Sequence, residues 1–189
     1  MVGNKLDKLK EEINHYLGLP YMINSLKGNK VVSEKFMGAK GNWQQIETET
    51  NKIAKENNIR VGKLTSKQKY NFQKKHHLGI DCSGLASNLL IYYGNLINKP
   101  ITLNIRKTSA DMLTSSPMSK KITDFDLVKT GDLIRQKNGH HVLFVIEKKS
   151  NTIYYVDSSR KNRKVSLGQF DLNDQNFENQ GIYRLLLFY

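Results

Sequence analysis

The chain has 189 residues, of which 38% are hydrophobic and 25% charged, and it carries 30 Lys and Arg against 17 Asp and Glu for a formal net charge of +13. That composition excludes a disordered chain and suffices for a buried core in one domain; no apolar run approaches the ~20 residues that span a bilayer. Cys82 is the single cysteine, which excludes an internal disulfide and a cysteine-based metal cluster and leaves the redox compartment open.

Met1 to Asp7 has no apolar signal core. The protein therefore acts in the cytoplasm, or this is a mature domain, secreted or wall-associated, whose leader has been removed. Residues 5 to 17 read as a first helix: Leu6, Leu9, Ile13 and Leu17 recur at three- and four-residue spacings, and Gly18 and Pro20 end it. Met22 to Leu78 is polar and punctuated by Gly28, Gly38, Gly41 and Gly62. Within it Glu47 to Asn57 and Thr65 to Lys75 read as solvated helices, the second capped at Thr65-Ser66. Trp43 is a candidate for stacking on a sugar ring or lipid; we read it instead as a pin that fastens this segment to the body. His76-His77 reads as part of a solvated turn, since two adjacent histidines without a cysteine or carboxylate at ligand spacing make no metal site.

Next comes Leu78-Gly79-Ile80-Asp81-Cys82-Ser83-Gly84-Leu85. Leu85, Ala86, Leu89, Leu90 and Tyr93 continue at helical spacing, and Gly94 reads as the end. Asp81 suits an N-cap, which puts Cys82 in the first turn. A helix N-terminus favours an anion, one way to prepare a thiolate nucleophile. The same pattern also fits a cysteine that is merely a small buried hydrophobe.

Downstream, Ser109 to Leu113 reads as a short helix and Ser115-Ser116-Pro117 as a turn. Lys129 to Asp132 is a tight turn that opens a set of strands at 132–136, 141–147 and 152–157. Val165 to Phe170 is a further short strand, and Ile182 to Tyr189 is a last one, apolar enough to be central. Helices first and antiparallel strands after them make an α+β fold. In this order His140-His141 opens one apolar strand and Asp157 ends the next. Strand neighbours face opposite ways, so only one of the two histidines can face Cys82. A cysteine, a histidine and a polar orienter are the parts of a thiol-hydrolase triad.

Asp81-Cys82-Ser83-Gly84-Leu85 opening a helix, then Gly131-Asp132-Leu133-Ile134, then His141-Val142 leading an apolar strand, resembles the NlpC/P60 family of cysteine peptidases. Tyr16-Leu17-Gly18-Leu19-Pro20-Tyr21 is similar to that family's "YLGxPY" segment. Arg106-Lys107-Thr108-Ser109-Ala110-Asp111 is similar to its "RTSADQ"-like segment. The resemblance covers Ile13 to Tyr21 and Gly79 to about Ser158. It implies a papain-like core, with the cysteine helix packed on an antiparallel sheet. It implies Cys82 as nucleophile, His141 rather than His140 as base, and Asp157 as the third catalytic residue. It also implies that Tyr21, Asp81 and Ser83 bind the substrate's amino end, and that no metal or cofactor takes part. The reaction implied is hydrolysis of an amide in peptidoglycan stem peptides through a thioester, commonly between D-isoglutamate and the third, diamino-acid residue.

The chain departs from the family in three places, the mildest being His141-Val142-Leu143 where the family has His-Val-Gly, a conservative change for a buried strand. Met22 to Leu78 stands where the family has a short Gly-rich loop, so it reads as an insertion. Asp157 stands where the family most often has a histidine. Two rival readings stay open: an amidase, acyltransferase or antibacterial effector of the same fold acting on another substrate, and a non-catalytic basic binding module. The charge favours polyanions. Scattered basic residues, with no zinc, ribonucleoprotein or recognition-helix pattern, argue against nucleic acid; for a wall-directed enzyme anionic wall polymers or acidic lipid would serve as partners, and a plain solvated lysine-rich surface fits the charge equally well.

Overall fold

The computed structural model describes residues 2–23, 25–27, 30–32 and 35–189; Gly28 lies outside the described residues. Helix α1 (Val2–Tyr16) turns Leu9, Ile13 and Tyr16 into the core. A two-stranded antiparallel ribbon follows, β1 (Ser25–Lys27) with β2 (Lys30–Val32), in a stretch without strand patterning in its sequence. Helix α2 (Trp43–Glu56) starts before the expected Glu47, because Asn42 and Gln45 form a reciprocal capping box, each side chain accepting from the other's backbone N–H at 2.9 Å. It is not wholly solvated: Ile46, Thr50 and Ala54 are buried along one face. Helix α3 (Ser66–Lys75) is capped by Thr65 in a second such box with Gln68.

Trp43 pins α2 to α1. Its indole N–H donates to Glu12 at 2.9 Å, and its ring stacks on His15 with centroids 4.0 Å apart. The four-residue periodicity of Ile46, Thr50 and Ala54 then seats α2 beside the body.

Helix α4 (Cys82–Leu96) is the central helix. It runs past Gly94, which does not end it. At that position a side chain would run into the Lys99 carbonyl at 2.7 Å, so the glycine serves close packing. Helix α5 (Ala110–Leu113) is capped by Ser109. The remaining strands are β3 (Ser119–Ile122), β4 (Leu133–Gln136), β5 (His141–Lys149), β6 (Thr152–Ser158), β7 (Val165–Asp171) and β8 (Ile182–Leu185). They form one antiparallel sheet in the order β3-β8-β4-β5-β6-β7. The fold is α+β.

Within the six-stranded sheet, two strands differ from the sequence reading. β3 is an edge strand whose Ser-Lys-Lys-Ile sequence gives no apolar alternation. β8 is interior, as its apolar content suggests, but it stops at Leu185. The chain then turns into a short 3-10 segment that leaves Leu186 and Leu187 exposed.

β5 is buried on both faces, which is why it reads as an unbroken apolar run. Val142, Phe144 and Ile146 join the core cluster that holds Leu85, Leu89 and Leu90 of α4. Leu143 and Val145 join Ile134, Ile153, Phe170 and Ile182 on the other side. Each fully buried aliphatic side chain contributes about 2 kcal/mol. The Lys129–Asp132 turn is fastened from within. Asp132, with no exposed surface, accepts from Arg184 of β8 at 2.7 and 2.8 Å and from the Lys129 backbone at 2.8 Å.

Candidate active site

The site begins at the N-terminus of α4. Asp81 caps the helix, its Oδ1 accepting from the Gly84 N–H at 2.6 Å. Cys82 follows in the first turn, largely buried but lining a cleft. Gly79 admits the neighbouring chain, since any side chain there would collide with the Pro20 carbonyl. That close approach lets Ile80 N–H donate to Pro20 at 3.0 Å and Met22 N–H donate to Ile80 at 3.3 Å. Tyr21 is thereby bridged to Ile80 and lines the same cleft as Cys82. Burial, with the charges of Cys82 and Asp81, pushes its phenol up to about 12, against the opposing pull of Arg160.

His141 and Asp157 come from adjacent strands. Phe144 pairs with Val156, and His141 and Asp157 each lie an odd number of residues from that pair, so they share one face of the sheet. His141 Nε2 sits 3.1 Å from Asp157 Oδ2. The other carboxylate oxygen of Asp157 accepts from Ser166 of β7 at 3.3 Å. Burial opposes a charged imidazole, but hydrogen bonding to Asp157 and the proximity of the Cys82 sulfur override it and raise His141 to about 9. His140 is exposed. Its backbone sits in the helical region (φ −86°, ψ −5°) ahead of β5, so strand alternation does not govern this pair. The His140 carbonyl is the hydrogen-bond acceptor for the Cys82 thiol, at 3.9 Å.

The structure thus brings together Cys82, His141 and Asp157, with Tyr21, Asp81 and Ser83 lining the same cleft as the sulfur. Two further residues belong here that the sequence reading does not name. One is Ser166, a strand serine with no pattern to mark it. The other is Lys40, from the Met22–Leu78 segment. Lys40 is buried (7% exposed), and its ammonium donates to Asp81 at 2.9 Å, to the Thr108 carbonyl at 3.1 Å and to the Ser83 hydroxyl. Nothing in the sequence distinguishes it from 29 other basic residues except the glycines at 38 and 41 around it.

The cleft has a volume of about 960 Å³. Beyond Lys40 it is walled by the exposed cations Arg106, Lys107, Lys137 and Arg160. Among the described residues no group of His, Cys, Asp and Glu is placed to hold a metal ion, and no helix is long and apolar enough to cross a membrane.

No family model matches the chain. No curated protein matches it either. Among solved structures it is similar to the P60 domain of an antigen of M. avium subspecies paratuberculosis, at 17% identity and a TM-score of 0.45, over 96% of this chain and 94% of that one.

Proposed function

We propose that this protein is an NlpC/P60-like cysteine peptidase that hydrolyses amide bonds of peptidoglycan stem peptides, with Cys82, His141 and Asp157 as its catalytic residues. The observation that carries the reading is the buried His141, held by Asp157 and raised to about 9 beside the only thiol, at the floor of an open cleft. Such perturbed groups concentrate at functional sites.

In this reading His141 holds the proton given up by Cys82. The thiolate attacks the amide carbonyl carbon, and a C–S bond forms as the carbonyl becomes an oxyanion. The Cys82 backbone N–H, at the helix N-terminus, donates to that oxygen; one such donor is worth roughly 10²–10³ in rate. His141 then gives its proton to the leaving nitrogen as the C–N bond breaks. Water, losing a proton to His141, attacks the thioester, and acid and free Cys82 result. Asp157 keeps the ring oriented and stabilises its charge. Tyr21, Asp81 and Ser83 form the wall next to the sulfur, and the +13 surface suits an anionic wall environment.

Incubation of the intact protein, and separately of Cys82→Ser, with purified peptidoglycan, followed by mass spectrometry of the soluble fragments, tests this. The intact protein is expected to release cleaved stem peptides and the variant none. Equal release by both, or release by neither, contradicts it.

A further inference from the structure

Lys40 is a buried charge that the hydrolytic steps do not use. It is built in with care. Met37, Gly38 and Ala39 all have positive φ (49°, 68° and 58°), a conformation that two of these three residues adopt only under constraint. The constraint is the nucleophile helix itself. Ala39 carbonyl accepts from the Asp81 N–H at 2.9 Å, Lys40 carbonyl accepts from the Asn88 side chain at 3.2 Å, and a side chain at Gly84 would sit 2.8 Å from the Ala39 oxygen. The whole turn is pressed onto the first turns of α4 and aims one ammonium at Asp81 and Ser83.

Asp81 is the single carboxylate among the residues that line the cleft. Its oxygens are engaged by Lys40, by the Gly84 N–H and by Ser83. A second ammonium arriving there would have to displace the first from a buried ion pair or sit against it at close range, and both are costly. The walls point the same way. Arg106, Lys107, Lys137 and Arg160 form no ion pair with a carboxylate among the described residues. Field lines from such a concave cationic surface focus on an incoming anion.

We propose that Lys40 is a specificity-determining residue, a built-in ammonium that fills the Asp81–Ser83 corner, so that the cleft selects acidic peptides through its cationic walls and makes no use of a free substrate amine. The inference rests on the hydrolase reading for where the peptide lies. Binding can nonetheless be measured apart from cleavage.

The test uses the full chain carrying Cys82→Ala and four synthetic hexapeptides: two with glutamates on both sides of the central amide, two with glutamines there instead, each made with a free and with an acetylated amino terminus. Titration calorimetry is expected to give roughly tenfold or more tighter binding of the glutamate peptides, lost in high salt, with less than about a twofold change on acetylation. Adding Arg106→Glu and Arg160→Glu, both exposed, is expected to abolish the preference. Adding Lys40→Met is expected to make acetylation weaken binding by about fivefold or more, because Asp81 then accepts the amine. Should Lys40→Met fail to fold, the acetylation arm in the Lys40 protein and the wall variant decide the matter. Equal binding of glutamate and glutamine peptides, no binding of either, or a fivefold loss on acetylation with Lys40 in place overturns the proposal. Cleavage by the Cys82 protein is followed separately. Selective binding without cleavage anywhere sinks the hydrolase reading alone, whereas cleavage without charge preference sinks this inference alone.

Discussion

His141 holds its proton through neutral pH because Asp157 and the Cys82 sulfur outweigh the burial that would otherwise strip it. The alkaline limb of activity is therefore expected near pH 9, where the imidazolium is lost. Asp157→Asn should move the titration seen by NMR down toward the ordinary value of 6.5 and reduce turnover roughly 10²–10⁴-fold, the range for lost acid–base function. The sign for stability follows. The folded pKa lies above the unfolded one, so the stabilisation is complete below about 6.5 and disappears as pH rises through about 9. Urea midpoints followed across that window should fall with rising pH, and more steeply than in His141→Gln. At this scale the sequence is informative where a residue closes or opens an element. Cys82 follows a cap, His141 opens a strand and Asp157 nearly ends one, so local pattern marks them as candidates, while the choice of His141 over His140 comes from the family resemblance. Lys40 is not legible, because its burial depends on three consecutive positive φ angles and on the helix they press against. No local pattern encodes that.

Among the elements, α4 carries the most interdependence. Its cap, Cys82 and most of its contact with the Met22–Leu78 segment fall within residues 81–84, and Asn88 adds a bond to the Lys40 carbonyl one turn on. Asp81→Asn keeps a capping oxygen but leaves the Lys40 charge without its counterion. Denaturation should register a loss of about 3 kcal/mol, the scale of a broken buried ion pair, well above the ~1 kcal/mol of a lost cap. Gly84→Ala should cost about 1–3 kcal/mol, because its Cβ would push the Ala39 carbonyl off the helix. It should also lower activity while leaving the far-UV circular dichroism spectrum intact. Helix existence is readable here from apolar period and cap chemistry. Boundaries are less so: the Asn42–Gln45 box moves the start of α2, and Gly94 is a packing contact rather than a stop. β3 escapes the eye because its two buried ends, Ser119 and Ile122, flank two exposed lysines and only one of the two is apolar, and the apolar run of β8 overshoots because Leu186 and Leu187 face solvent.

For the molecule as a whole, two long-range ties hold the sheet and the preceding helices to the site. Asp132 joins the turn before β4 to Arg184 of β8, so the Gly131-Asp132 motif is structural. Asp132→Ala is expected to cost about 3–5 kcal/mol, as it strands Arg184 in a buried position, and a thermal melt would show it. Trp43 joins α2 to α1, and the turn before α2 delivers Lys40 to Asp81, the residue before Cys82. The Met22–Leu78 segment is therefore part of the site's construction. Its order in the chain is visible in the sequence, but its contacts are not, since they join residues far apart in the chain. In the proposed mechanism Cys82 is a nucleophile activated by His141. This is tested most directly by the rate of Cys82 alkylation by iodoacetamide between about pH 6 and 10, in the intact protein and in His141→Ala. Fast alkylation near neutral pH is expected in the intact protein, with a fall of roughly tenfold or more in the variant at pH 7. Slow alkylation in both, indistinguishable from that of a buried inert thiol, would contradict that activation.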